Sequence, residues 1–221
     1  IGRITIDDVV DVITESAEEE RQIMSGITTD VEEDDSIWKL SNARLPWLVI
    51  GILGGLFGAF FLGSFESNYF EENEVFISLS FFIPLIMATA GNVGIQSSSI
   101  VIQTLSTPSP FEISVAERLI KVILVSILNG IVLSILVYSG LMLFDYLNFL
   151  DFEIFSKTAK IVSVSLFSIV LVSSLLGTLT PIVLNKLNFN PALASGPFIT
   201  TTNDLMALAI YFIVAIAMGG I

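Results

Sequence analysis

Long apolar stretches separated by short polar connections make up most of the chain, and they follow a first segment in which acidic and apolar residues are mixed. Five stretches are long enough to cross a hydrocarbon core of about 30 Å, which needs about 20 helical residues. They lie near residues 46–66, 76–105, 115–145, 158–187 and 195–219. None alternates polar and apolar residues as barrel strands do, so the pattern predicts an all-α integral membrane protein with five transmembrane helices.

The first segment, residues 1–44, is expected to lie in water. Apolar residues from Val9 to Ile13 among acidic ones predict a short amphipathic helix, which Ser16 to Met24 continues or restarts. Twelve of the 22 acidic residues lie between Asp7 and Asp35. The chain therefore divides into an acidic segment, 1–44, and a much less densely charged membrane domain, 45–221.

Composition supports this class and excludes much enzyme chemistry. The chain is 53% hydrophobic and 14% charged, and it contains no cysteine and no histidine. Disulfides, thiolate metal sites and thiol nucleophiles are therefore absent, as are the commonest metal ligand and the commonest general base. We expect a protein that is not an enzyme.

Basic residues near the helix ends predict the orientation, because positive charge favours the cytoplasmic side. One set of connections carries Lys39, Arg44, Arg118, Lys121 and Lys186. The other set carries Glu66, Glu71, Glu72, Glu74, Asp145, Asp151 and Glu153, with Lys157 and Lys160 as contrary evidence. The balance predicts a multi-pass protein of the cell membrane with its N-terminus in the cytoplasm and its C-terminus outside.

The second stretch contains a polar stripe. Its members recur at steps of three and four residues, which places them on one helical face: Thr89, Asn92, Gln96, Ser99 and Gln103. Pro84, Gly91 and Gly94 lower helix propensity around Asn92, so we expect the helix to open there and expose carbonyl oxygens to a water-filled cavity. The alternative is that Asn92 and Gln96 hydrogen-bond a neighbouring helix.

The fifth stretch contains an aspartate. In "NPALASGPFITTTND" two prolines and a glycine precede the apolar run, so the chain is expected to enter the bilayer as a short turn or half-helix that restarts near Pro197. Asp204 then lies roughly 10 Å inside, with Thr200 and Thr201 on the same face. An ionised side chain at that depth costs about 3 kcal/mol and usually marks an ion pathway, although a hydrogen-bonded structural aspartate is the alternative.

Two further features concern packing. Gly51, Gly54, Gly55 and Gly58 form overlapping GxxxG spacings in the first stretch, which fit either packing within one subunit or a contact between subunits. Pro181 in the fourth stretch is expected to kink or end that helix.

At this point the sequence resembles a known family. "PLIMATAGNVGIQSSSIVIQTL" and "NPALASGPFITTTNDLMALAIYF" are similar to the second and fifth transmembrane helices of the MgtE family of magnesium channels, which is related to a family of animal carriers. "RLPWLVIGIL" resembles the entry into that family's first helix, and "GRITIDDVVDVI" resembles the end of the CBS-domain region that precedes its membrane part. We therefore expect that further sequence, including sensor domains, precedes Ile1.

The resemblance implies a homodimer with one central pore lined by the second and fifth helices. The position of Asp204 would hold a hydrated magnesium ion, with Asn92 close by and the backbone near Thr200 facing the pore. Residues 14–35 would correspond to a connecting plug helix at the cytoplasmic mouth. Val93, Ile95 and Gly196 depart from residues often found in the family, which leaves ion selectivity open.

Coordination chemistry is consistent with that function. Magnesium dehydrates reluctantly and is held through one or two carboxylates with several waters kept. Two copies of Asp204 would supply the carboxylates, and side chains of Asn92, Gln96, Thr200 and Thr201 would bond the waters. The expected partners are a second copy, the bilayer and divalent cations, without nucleic acid. Two alternatives stay open: a carrier that exchanges a divalent cation for sodium or protons, and, more distantly, an intramembrane aspartyl protease that pairs Asp204 with its copy.

Overall fold

The structure, a computed structural model, describes residues 4–28, 31–69, 74–106, 114–146, 152–194 and 196–219. In chain order the helices are α1 (Ile6–Met24), α2 (Ile37–Tyr69), α3 (Glu74–Ser80), α4 (Ile83–Ser106), α5 (Val115–Tyr146), α6 (Phe152–Lys186), a 3-10 helix (Pro191–Ala194) and α7 (Pro197–Ala217). These ranges contain no strand. Five helices, α2, α4, α5, α6 and α7, are long and apolar enough to span a membrane, which confirms the predicted fold class.

Helix α1 is one continuous helix rather than two pieces. It begins with a capping box, in which Thr5 accepts from the backbone of Asp8 and the Asp8 carboxylate accepts from the backbone of Thr5. It ends at Met24, and Gly26 follows with a φ of 81° that favours glycine. The segment 14–35 is therefore helical only as far as Met24, since its remaining described residues form turns and irregular chain.

Helix α2 begins before the predicted first membrane stretch. It starts at Ile37, close to the ion pair between Lys39 and Asp35 at 2.7 Å, and continues through Pro46. The expected boundary between the acidic segment and the membrane domain, after residue 44, thus lies within a continuous helix. The chain enters the apolar part without a break.

The second membrane stretch differs from its prediction in two ways. It consists of the short helix α3 and the longer α4, which are separated by a turn at Phe81 and Phe82. Pro84 stands at the beginning of α4, where its missing N–H costs nothing. Helix α4 is unbroken through Asn92, so the expected local opening is wrong.

The glycines of α4 serve close packing instead. A Cβ at Gly94 would collide with the side chain of Asn203 on α7. A Cβ at Gly177 on α6 would collide with the carbonyl oxygen of Gly94. Three helices therefore meet at Gly94, and the hydrogen-bonded neighbouring turns keep α4 helical despite its low propensity there.

Helix α6 is the centre of the bundle and packs against α3, α4, α5 and α7. Its Ile161, Val162, Leu166 and Ile169 form a buried cluster with Tyr211. Helix α6 continues past Pro181 to Lys186, so the prediction that this proline ends the helix is wrong. Helices α2 and α5 lie outside, with most of their surface free to contact lipid.

Contacts between helix ends define two ends of the bundle. At one end the hydroxyl of Ser106 on α4 donates to the carboxylate of Glu20 on α1, and Gly26 packs against Pro197. At the other end the Tyr211 hydroxyl donates to the Leu79 carbonyl at 2.8 Å, and the Lys157 ammonium donates to the Gly219 carbonyl.

Chain order places Arg44, Arg118, Lys121 and Lys186 at the first end and Lys157 and Lys160 at the second. Glu71, Glu72 and Asp151 lie outside the described residues, as do the side chains of Glu66, Asp145 and Glu153. Which end faces the cytoplasm stays a prediction.

Candidate cation site

The entry into α7 is built by a sequence of turn residues. The side chain of Asn190 accepts a hydrogen bond from the backbone of Ala192 at 2.9 Å and starts the 3-10 helix. Gly196 has a φ of 51°, and Pro197 opens α7. The expected turn followed by a restart near Pro197 is therefore confirmed. This turn fixes where α7 begins. The residues from the N-terminal end of α7 up to Asp204 then follow along one wall.

Asp204 lies two turns into α7 and is half buried. Its Oδ1 is buried and has no hydrogen-bond partner among the residues that the structure describes. The same oxygen lies 3.6 Å from the position a Cβ would take on Gly91 of α4. The absence of a side chain at Gly91 thus lets the carboxylate approach the α4 backbone. A buried carboxylate oxygen without a protein donor is costly, and a water molecule or a cation would offset that cost.

Thr200 and Thr201 line the same wall. The Thr200 hydroxyl donates to the Gly196 carbonyl at 3.0 Å, so its lone pairs remain available to accept from a water. The methyl group of Thr201 packs into the space above Gly54 of α2. Both threonines line, together with Asp204, Arg44 and Trp47, a cavity of about 890 Å³ that reaches toward the end of the bundle near Gly26.

A second cavity lies on the α2 side of the carboxylate. It measures about 260 Å³ and is lined by Asp204, Thr201, Met87 and four glycines of α2, Gly51, Gly54, Gly55 and Gly58. Gly54 and Gly58 pack against α7 within the same chain, which favours packing inside one subunit for these two positions. Gly51 and Gly55 have no described atom within 4 Å of the Cβ position and leave the space open.

The two amides from α4 lie in different surroundings. Asn92 follows Gly91, so it is next to the point where α4 meets Asp204, and its side chain is exposed on the surface of the single chain. Gln96 is also exposed, but it lines a separate groove between α4 and α5 that does not include Asp204. The structure therefore brings together Asp204, Thr200 and Thr201. It places Asn92 one residue after their contact at Gly91 with its side chain exposed, and it places Gln96 in a separate groove.

Sequence reasoning missed the role of Asn203. This residue is fully buried, its Nδ2 donates to the Ile199 carbonyl at 2.9 Å, and its Oδ1 has no partner in the described part of the chain. It packs against Gly94 and thereby joins α7 to α4 one residue before the carboxylate. The sequence did contain a signal, because an amide side chain in an apolar helix must face a protein surface. The polar character of this stretch was attributed to the neighbouring Asp204 instead.

One chain supplies little negative charge to this site. Within the described ranges there is no group of three or more acidic residues that could hold a metal ion. Asp204 is the single acid lining its two cavities, and Arg44 lines the larger of them. A divalent cation at Asp204 would therefore keep most of its waters or receive a second carboxylate from another copy.

Comparison with known proteins is consistent with this geometry. A family model described as "MgtE: Divalent cation transporter" matches residues 83–214, which include α4 to α7 as far as Val214. Proteins called Magnesium transporter MgtE are similar over nearly the whole chain. That of Bacillus subtilis is 32% identical over 217 residues, which cover 98% of this chain and 46% of the relative. That of Enterococcus faecalis is 31% identical over 216 residues, or 97% and 45% of the two chains. That of Thermus thermophilus is 32% identical over 217 residues, or 97% and 45%.

The chain spans slightly less than half the length of these curated relatives. The family model nevertheless covers more than half of the chain, including the helices that carry the candidate site. The match also confirms the expectation that the chain is not an enzyme, because the family is one of transporters. The chain accordingly belongs to the MgtE family of divalent cation transporters.

Proposed function

We propose that the chain forms half of a homodimeric channel that moves hydrated Mg²⁺ across the cell membrane through a pore lined by α4 and α7. The observation that carries this proposal is the Asp204 carboxylate, which lies inside a membrane-spanning helix with a buried oxygen lacking a described partner. An ionised side chain at that depth costs about 3 kcal/mol, and a cation or a water path offsets this cost.

The chemistry of the wall favours a hard cation that keeps its waters. Oxygen ligands suit magnesium, and the chain has neither cysteine nor histidine to favour zinc or copper. Acceptor oxygens of Thr200 and Thr201, which line the cavity of Asp204, can bond the coordinated waters. Two carboxylates related by a twofold axis would balance one divalent charge.

A second copy is supported by the exposed face of α4. Asn92 and Gln103 are exposed in the single chain although they lie in a helix apolar enough to span a membrane. Amides that faced lipid tails would have unsatisfied hydrogen-bonding groups. A symmetric partner across this face would enclose these two amides and the wall containing Asp204 in one water-filled path.

Flux into liposomes tests the proposal. We expect Asp204→Asn to lower magnesium flux at least about tenfold and to weaken magnesium binding, while the dimer still assembles. Asp34→Asn removes the same charge from an exposed position outside the membrane and should leave both quantities unchanged. Near-normal flux and binding by a correctly assembled Asp204→Asn dimer would contradict the pore assignment.

The same liposomes distinguish a channel from a carrier. A channel should pass magnesium down its electrochemical gradient without a second ion, and its flux should follow the membrane voltage. A strict requirement for a sodium or proton gradient would instead support an exchanging carrier, with Asp204 still at the ion site.

A further inference from the structure

A groove of about 440 Å³ lies between α4 and α5, on a different side of α4 from Asp204. Its two walls are the faces that run from Val93 to Thr104 on α4 and from Arg118 to Asn129 on α5, and Ser174 of α6 lies at its floor. Both helices pack extensively on α6 and little on each other. The groove is therefore a lengthwise gap between two membrane-spanning helices.

Two positively charged side chains lie at one end of this groove. Arg118 and Lys121 lie in the first two turns of α5, where the helix N-terminus adds partial positive charge. Neither forms a salt bridge with any residue in the described ranges. The adjacent Glu117 carboxylate accepts from the backbone of Ser114 at 3.2 Å and forms no ion pair with either of them in the described part of the chain.

The walls next to these two side chains are mainly apolar, although Thr104 of α4 also lines the groove. Ile100 and Val101 of α4 face Val122 and Val125 of α5. The stretch from Arg118 to Asn129 corresponds to roughly 16 Å of helical rise. That length is about half of a hydrocarbon core of about 30 Å, so the groove extends through about one leaflet with its positive charge toward the membrane surface.

We propose that this groove seats one anionic phospholipid, with its phosphate between Arg118 and Lys121 and the upper part of an acyl chain against Ile100, Val122 and Val125. Basic pockets between membrane helices recognise anionic headgroups, and each cation near the surface contributes to that attraction. The apolar walls select a lipid over a free phosphate ion, since a free ion would leave them bare. The absence of a described acidic partner leaves both cations available for the headgroup.

Retention of phosphatidylglycerol by the purified protein, measured by native mass spectrometry, tests the site. We expect the double substitution Arg118→Gln and Lys121→Gln to lower retention at least about tenfold. Lys160→Gln with Lys186→Gln is the matched control, because it also removes two exposed positive charges but neither residue lines the groove. Equal retention by the two double variants overturns the proposal.

A second variant separates a seated lipid from general attraction to charge. Val125→Trp fills the exposed wall of the groove and keeps both cations, so it should also reduce retention. Unchanged retention in Val125→Trp overturns the proposal, whether or not the charge variant folds. Displacement of the lipid by millimolar inorganic phosphate would identify a site for the free ion instead. Efficient disulfide cross-linking of two copies through Val125→Cys would show that a partner chain covers the groove, which also contradicts lipid binding.

Discussion

Asp204 shows how one side chain derives its role from its neighbours. Its position along α7 follows from the turn at Gly196 and Pro197, and its approach to α4 depends on the missing side chain of Gly91. The carboxylate is thus held against α4 at Gly91, the residue before Asn92. A hydrated ion at this point would contact the carboxylate through charge and the amide through water.

Because the two contacts differ in this way, we expect substitutions of Asp204 and Asn92 to reduce magnesium flux to different extents. Asn92→Ala should reduce magnesium flux only severalfold, less than Asp204→Asn, because a water-mediated amide contact is weaker than a charge interaction. Asn185→Ala is the control, as it removes an exposed amide from the end of α6 that lines neither cavity of Asp204. The ordering is checked by flux measurements in liposomes, and a larger loss for Asn92→Ala would assign the main ion contact to α4.

A second prediction at this scale concerns Asp8 in the capping box of α1. Hydrogen bonds from the Thr5 hydroxyl and the Thr5 backbone hold the pKa of Asp8 below its ordinary value of 3.8. The stabilisation of the helix start is therefore present above that ordinary value and is lost as the pH falls through the lowered pKa. Thr5→Val removes the side-chain donor, so an NMR titration should find the pKa of Asp8 raised. An unchanged pKa would show that the hydroxyl does not bond the carboxylate in solution.

At the scale of elements, the junction of α4, α6 and α7 is the feature on which the site depends. Gly94 accommodates Asn203 on one side and the α6 backbone at Gly177 on another. Small residues let membrane helices approach closely, where van der Waals packing holds them. Because Asn203 precedes Asp204, this packing also determines the rotation of α7 and hence the direction of the carboxylate.

Gly94→Ala tests the junction. The added methyl group would lie 2.8 Å from Ile199 and still closer to Asn203, so we expect a loss of about 1–3 kcal/mol from overpacking. Gly140→Ala is the control, since it adds the same group to α5 with no described atom within 4 Å and gains helix propensity. The melting temperature in detergent should fall for Gly94→Ala and stay equal or rise for Gly140→Ala. Equal melting temperatures would mean that the helices can separate there without cost.

At the scale of the whole molecule, basic residues are distributed unevenly between the two ends of the bundle. Arg44, Arg118, Lys121 and Lys186 lie at the end where α1 packs against the start of α7, and Lys157 and Lys160 lie at the other. The excess of basic residues predicts that the first end faces the cytoplasm. A cation that moves between Asp204 and that end would pass Gly26 and Arg44, which line the cavity of Asp204.

Cysteine labelling tests this orientation in a chain that has no cysteine of its own. Asn185→Cys and Glu74→Cys place single exposed thiols at opposite ends of the bundle. In inside-out vesicles, a membrane-impermeant maleimide should label position 185 and not position 74. Labelling of position 74 alone would reverse the assignment, and permeabilised vesicles serve as the control that both thiols react.

The amino-acid sequence by itself determined the number and type of membrane spans, because lipid leaves the backbone few alternatives to a helix of about 20 apolar residues. It also determined how far along α7 Asp204 lies, since helical rise is fixed once Pro197 starts the helix. Residues that break helices were harder to interpret. Gly91, Gly94 and Pro181 lower helix propensity locally, but neighbouring helices and adjacent turns keep α4 and α6 continuous around them.

Only the tertiary structure decided which polar residues meet. Thr89, Asn92, Gln96, Ser99 and Gln103 share a periodicity, but periodicity does not say which neighbour each side chain faces. The packing of α5 on α6 beside α4 separates the Gln96 groove from the Asp204 cavity, and the contact between Gly94 and Asn203 fixes the rotation of α7. These outcomes depend on complementary surfaces of residues far apart in the chain, and local sequence patterns do not specify such contacts.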